Sequence, residues 1–169
     1  YTVADHAKHI IETSAEYMDS RIITLSNAEG CEIVRRIIDE SGISYFKSDD
    51  HNACMEIFKT ISELRMNCIR PDSLSLDSRR INTLRAIFQA YENKLSDSKL
   101  YDSAKLISIA GGLIKAGKAD VSNVHFAYDK EIEADKLTAE YIGLLPDLAV
   151  IDNMADMSDE QYQNGLRKL

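Results

Sequence analysis

The sequence predicts a mainly helical (mainly α) domain carrying one small α/β element, and three observations predict it. Apolar residues recur at three- and four-residue spacing through most of the first 118 positions. Only two prolines occur in 169 residues, so little interrupts those runs. Beyond residue 119 the pattern changes to short apolar runs on either side of one helical stretch, the order of a strand–helix–strand unit. The expectation is a single domain over 1–169, with a helical part over 1–118 and a strand-helix-strand-helix part over 119–169.

Taken in order, residues 2–19 predict a helix, with Val3, Ala7, Ile10, Ile11, Ala15 and Met18 at helical spacing. The run RIITLSN (21–27) is a strand or an extended lead-in. Ser26 or Asn27 then offers an N-cap with Glu29 close behind, and Ile33, Val34, Ile37 and Ile38 form the buried stripe of a helix ending near Gly42. ISYF (43–46) is a brief extended piece. Asp49, Asp50 and Asn52 open a helix whose Cys54, Ile57, Phe58, Ile61 and Leu64 face a core, and which stops before Pro71. Asp77 or Ser78 caps the longest helix, carrying Ile81, Leu84, Phe88, Tyr91 and Leu95. A turn, SDSK, leads to Tyr101-Asp102-Ser103 and a helix with Ala104, Ile107, Ala110, Leu113 and Ile114 on its apolar face. Short strands near 124–128 (VHFAY) and 148–152 (LAVID) flank a helix over 131–145, which predicts a parallel pair with a helical crossover. A last helix begins at Ser158.

The formal net charge is −8, but its distribution is uneven: residues 1–64 sum to −6, 65–118 to +5 and 119–169 to −7. A basic middle of this kind either faces a polyanion or docks on the acidic flanks. Cys31, Cys54 and Cys68 are odd in number and fall where a helix wants an apolar residue, which predicts reduced thiols in a cytoplasmic core. No run of about 18 apolar residues predicts a membrane span. Tyr1 in first place predicts a segment of a longer polypeptide.

Gly112-x-x-x-x-Gly117-Lys118 tempts a phosphate-loop reading. Such a loop follows a strand and opens a helix, with Ser or Thr after the lysine for magnesium. Here an amphipathic stretch runs into Gly117, and Ala119 and Asp120 follow Lys118, so Gly117 is expected to close a helix. His6 and His9 share a helix face but lack further ligands and predict surface histidines. Asp152, Asp156 and Asp159 predict caps on the last helix, and Pro71-Asp72 and Pro146-Asp147 predict turns. No cofactor, metal site or self-contained catalytic constellation is expected.

Two stretches carry a resemblance. ISYFKSDDHNACMEIFKTISELRMNCIRPDSL (43–74) is similar to a segment of AddB-type subunits of bacterial helicase–nucleases, through Glu63-Leu64-Arg65 and Ile69-Arg70-Pro71-Asp72-Ser73-Leu74. RRINTLRAIFQAYENKLSDSKLYDSAKLI (79–107) resembles the UvrD-like superfamily 1 pattern, with Leu84, Ile87, Tyr91 and Leu95 on one helix and the aromatic-Asp pair Tyr101-Asp102 opening the next. VHFAYDKEIEADKLTAEYIGLL (124–145) falls where that family returns to its first RecA-like core. The likeness covers roughly residues 25–145. It implies a helical accessory region of the helicase-like half of a DNA repair or recombination protein, with a nucleotide loop upstream of Tyr1 and any nuclease motif downstream. Where an active helicase places an Asp-Glu pair, Asp129 and Glu131 are split by Lys130 and look like helix-start carboxylates, which sets the parent's ATPase in doubt.

The resulting expectation is a non-catalytic element that positions DNA through phosphate contacts from Arg65, Arg70, Arg79, Arg80 and Arg85, with little sequence preference. Its partners are DNA and the rest of the parent chain or a partner helicase–nuclease subunit. The alternative is a helical protein-interaction module that binds no DNA.

Overall fold

Most helix starts are fixed by a side chain within three residues. Thr2 and Asp5 form a reciprocal capping box at the start of α1 (Val3–Thr13), and Ser26 and Glu29 do the same for α2 (Asn27–Glu40). Asp50 accepts from the Ala53 N–H to open α3 (His51–Met66). Asp102 accepts from the Lys105 N–H at 2.9 Å to open α5 (Ser103–Lys115), and Asp135 caps α6 (Lys136–Ile142). In α4 (Arg79–Asp97) Ser78 occupies the N-cap but its side chain makes no cap bond. The computed structural model describes residues 2–43, 45–46, 49–74, 78–121, 125–129 and 133–151. The expected helix from Ser158 and the carboxylates at 152, 156 and 159 lie outside them, as do Asp77, Val124 and Glu131.

The fold is mainly helical with two small parallel sheets of two strands each. β3 (His125–Asp129) pairs β4 (Asp147–Ile151) in parallel, His125 opposite Asp147, with α6 in the connection. Asp129 therefore ends a strand and does not start a helix, and Asp147 opens a strand directly after Pro146. The crossover helix is shorter than the apolar pattern from 131 to 145 predicts, because Asp135 supplies its cap. A second sheet joins β1 (Ile23–Thr24) to β2 (Leu100–Tyr101), and the Leu25 N–H continues the ladder to the Tyr101 carbonyl at 2.9 Å.

The helices gather into two apolar clusters. One is built by α2, α3 and α4 around Val34, Phe58, Ile61, Phe88 and Tyr91. The other is built by α1, α5 and α6 around Ile10, Ile11, Leu106, Ala110 and Tyr141. So α6, which the sequence assigns to the second part of the chain, packs with the first.

Three further expectations fail for identifiable reasons. α1 ends at Thr13, not 19: Thr13 turns its hydroxyl back to the His9 carbonyl, Ser14 is extended, and Ala15 and Met18 lie exposed. Cys68 is exposed, because the chain leaves α3 through a left-handed residue at that position (φ 59), while Cys31 and Cys54 are buried thiols as expected. His6 is buried, not on the surface: its Nδ1 lies 2.8 Å from the Tyr141 hydroxyl, which belongs to α6.

The end of α5 settles the phosphate-loop question. Gly117 is left-handed (φ 65), its N–H donates to the Ile114 carbonyl, and the Lys118 N–H donates to the Leu113 carbonyl at 2.9 Å. These two bonds define a Schellman ending. The glycine closes a helix, and Lys118 Nζ points to Glu16, 2.8 Å away.

Candidate functional site

The five candidate arginines divide into one that is ion-paired internally and four that pair with no carboxylate among the described residues. Arg65 emerges from the last turn of α3 with its side chain 9% exposed. Its Nη2 donates to Asp102 Oδ1 at 3.1 Å, and its Nε lies 2.9 Å from Oδ2. That Nε–H is not aimed at the oxygen, so the second contact is ionic and the hydrogen bond runs through Nη2. Glu92 of α4 completes the ion pairing, and the guanidinium lies over the Tyr91 ring. The Tyr91 hydroxyl in turn donates to Asp102 at 3.4 Å. Burial, with the Asp102 charge adding to it, raises the Tyr91 phenol well above its ordinary range and keeps it protonated.

Lys105 finishes this cluster. Its Nζ donates to the carbonyls of Leu95 and Leu100, both at 3.0 Å, and sits 4.7 Å from the Tyr101 ring centre. Partial burial lowers its pKa, with the Asp102 charge opposing that shift. Asp102 caps α5 of one apolar cluster while binding Arg65 of α3 and Tyr91 of α4 in the other, so the group is a polar joint between the two cores. It also removes Arg65 from the set of cations able to meet a phosphate.

Arg70, Arg79, Arg80 and Arg85 are all exposed, and none reaches a described carboxylate within ion-pair distance. Arg70 shares a cleft of about 730 Å³ with Arg65, Asp72, Glu92 and Lys105. Arg79 and Arg80 occupy the first turn of α4, which has no acidic residue. Two cations there oppose the helix dipole, at a cost of a few tenths of a kcal/mol to about 1 kcal/mol each. Successive residues turn by about 100°, so Arg79 and Arg80 project from adjoining faces while Arg85, roughly 9 Å along the axis, is about 120° from Arg79. Arg79 and Arg80 are thus brought together; Arg85 and Arg70 do not extend the same track.

The Arg79 guanidinium lies 6.0 Å from the ring centre of Tyr45, a residue of the α2–α3 connection that is 45% exposed. The arginine count of the sequence does not reveal this neighbour, although an aromatic pair, Tyr45-Phe46, stands visible in ISYF. Of the alternative reading of the basic middle, docking on the acidic flanks, the Lys118–Glu16 pair is the one ion pair of that kind among the described residues.

Among the described residues no group of three or more His, Cys, Asp or Glu is arranged to hold a metal ion, and no described helix is long and apolar enough to cross a membrane. No family model matches the chain, and no curated protein matches it. The geometry therefore defines a class no narrower than a mainly helical domain with exposed arginines, two of them adjacent at the start of α4.

Proposed function

We propose that this chain is a non-catalytic helical accessory region of a DNA repair or recombination helicase–nuclease, acting in the cytoplasm and helping to position DNA through its phosphates. The observation that carries this reading is the set of four exposed arginines, Arg70, Arg79, Arg80 and Arg85, that meet no described carboxylate. A cation already neutralised by protein releases no counterion on binding, whereas an unpaired one does. Arg79 and Arg80 lead because they sit side by side. The likeness of residues 43–74 and 79–107 to helicase–nuclease subunits supports the same reading.

The β3–β4 pair supports it from a second direction. Parallel strands ordinarily lie inside larger sheets covered on both faces, and a two-stranded parallel sheet is marginal alone. Among the described residues β3 and β4 pair only with each other, which fits an element completed by further strands of a parent chain. The same edges, unpaired among the described residues, favour the alternative, a docking module for a partner subunit.

A short-duplex titration by fluorescence anisotropy tests the proposal. Affinity should fall steeply between about 50 and 200 mM salt, and Arg79→Glu with Arg80→Glu should weaken binding and reduce the salt slope by about two. Binding unchanged by the double reversal discards these residues. Self-association that survives high salt, without DNA binding, favours the docking module.

A further inference from the structure

We propose that Tyr45, together with Arg79 and Arg80, forms a stacking site for an unpaired base of single-stranded nucleic acid. This rests on the phosphate-contact reading above and goes beyond it by selecting single strands over duplex.

Tyr45 is a large ring placed outward by its neighbours. Ile43 and Phe46, on either side of it in the α2–α3 connection, both pack against the α2–α4 cluster. Between these two anchors Tyr45 keeps 45% of its surface exposed. Its ring meets that of Phe46 edge to face, 4.9 Å between centres at 81°, so a partly buried ring holds the exposed one in place. A ring already ordered loses little freedom when a ligand covers it.

The second component comes from a segment more than thirty residues away. Arg79 sets its guanidinium 6.0 Å from the Tyr45 ring centre, and Arg80 stands beside it at the start of α4. Neither has a described carboxylate partner. A flat ring with one cation over it and a second at the next position of α4, neither paired with a carboxylate among the described residues, matches a nucleotide with an exposed base, which offers a π-face to the open side of the tyrosine and a phosphate to the arginines. Every base has such a face, so the site tolerates any sequence. Within a duplex the faces are covered by neighbouring bases, and only the phosphates remain available. A partner protein would need both an exposed planar group and an acid at the same spacing; a polynucleotide strand repeats that combination at every residue.

The test compares three labelled ligands of about twelve nucleotides: oligo-dT, an abasic strand of equal length, and a duplex. Wild-type protein should bind oligo-dT more tightly than the abasic strand. Tyr45→Ala should weaken oligo-dT binding by about 5- to 150-fold and erase that preference, equally at low and high salt, because stacking releases no counterions. Tyr45→Phe should bind like wild type, since the ring is kept. Arg79→Glu with Arg80→Glu should weaken all three ligands, with the loss shrinking as salt rises. Stacking is overturned if wild type does not distinguish oligo-dT from the abasic strand, if it prefers duplex, or if Tyr45→Ala leaves the preference intact. In each of those cases weakened binding by the arginine variants would leave the phosphate reading standing; unchanged binding by them would remove it as well. The wild-type comparison needs no variant, so it decides the matter even if Tyr45→Ala does not fold.

Discussion

Replacing Asp102 with Asn changes almost nothing in shape and removes one charge, which makes it the sharpest probe of the joint between the two cores. Asn caps helices about as well as Asp, so the bond from the Lys105 N–H survives. Arg65, 9% exposed, is left with Glu92, whose side chain is 39% exposed. Stripping one partner from a buried pair costs about 3–5 kcal/mol, and the remaining half-exposed carboxylate reduces that to about 2–3 kcal/mol here. Asp102→Ala should cost about 1 kcal/mol more, through loss of the cap. Arg65→Met in the Asp102→Asn background should cost little further, since no unpaired guanidinium then remains. The cycle should therefore return a coupling energy of about 2 kcal/mol between Arg65 and Asp102. Urea unfolding followed by far-ultraviolet circular dichroism measures each value, with unchanged slope as the check on two-state behaviour. In a thermal melt the Asn variant should lose roughly 4–12 °C. A coupling under about 0.5 kcal/mol would refute the joint and return Arg65 to the surface candidates.

Two further perturbations follow from local geometry. A Cβ added at Gly30 would lie 2.2 Å from Phe58 Cε2 and 2.5 Å from Cζ, against a comfortable separation of about 3.7 Å, so the buried ring must retreat by about 1.5 Å. Overpacking of this kind costs about 1–3 kcal/mol and outweighs the roughly 1 kcal/mol that alanine gains in a helix, so Gly30→Ala should destabilise by about 1 kcal/mol, whereas in a Phe58→Leu background it should stabilise; equal effects in both backgrounds would show that the ring is not the obstacle. Burial, with a smaller contribution from His9, lowers the pKa of His6 below its ordinary value, so the folded state holds His6 neutral beside Tyr141. Its contribution is fully present above about pH 6.5 and is lost as pH falls through that value toward the lowered one, so wild type should lose more melting temperature between pH 7.5 and 5 than His6→Gln; parallel pH profiles would count against it.

What the sequence makes legible is what neighbours decide. Ser26 with Glu29, Asp50 and Gly117 mark helix ends because each acts on backbone within three or four residues. What escapes is decided at a distance. The β1–β2 pairing joins two dipeptides more than seventy residues apart, too short for any alternation to register. The burial of His6 depends on Tyr141. Met18 continues the spacing of α1 and yet is 71% exposed, because periodicity records which face a residue would take in a helix and not whether the helix persists.

Arg65 is the case that matters for function, since charge counts treat it as equal to Arg79, whereas Asp102, 37 positions away, has taken it inside. That correction trims the candidates without changing the sign of the segment's charge. The basic middle contains ten cations and five carboxylates, and the joint withdraws two cations, Arg65 and Lys105, together with two carboxylates, Glu92 and Asp102. Eight cations against three carboxylates remain over 65–118. The buried pairing thus leaves the rest of the segment more positive per acidic group than its composition suggests, and it does so while fixing the start of α5 beside the end of α3. A polar joint that consumes acids inside a basic segment is a way for one stretch of chain to supply both the connection between two cores and exposed arginines that meet no carboxylate among the described residues.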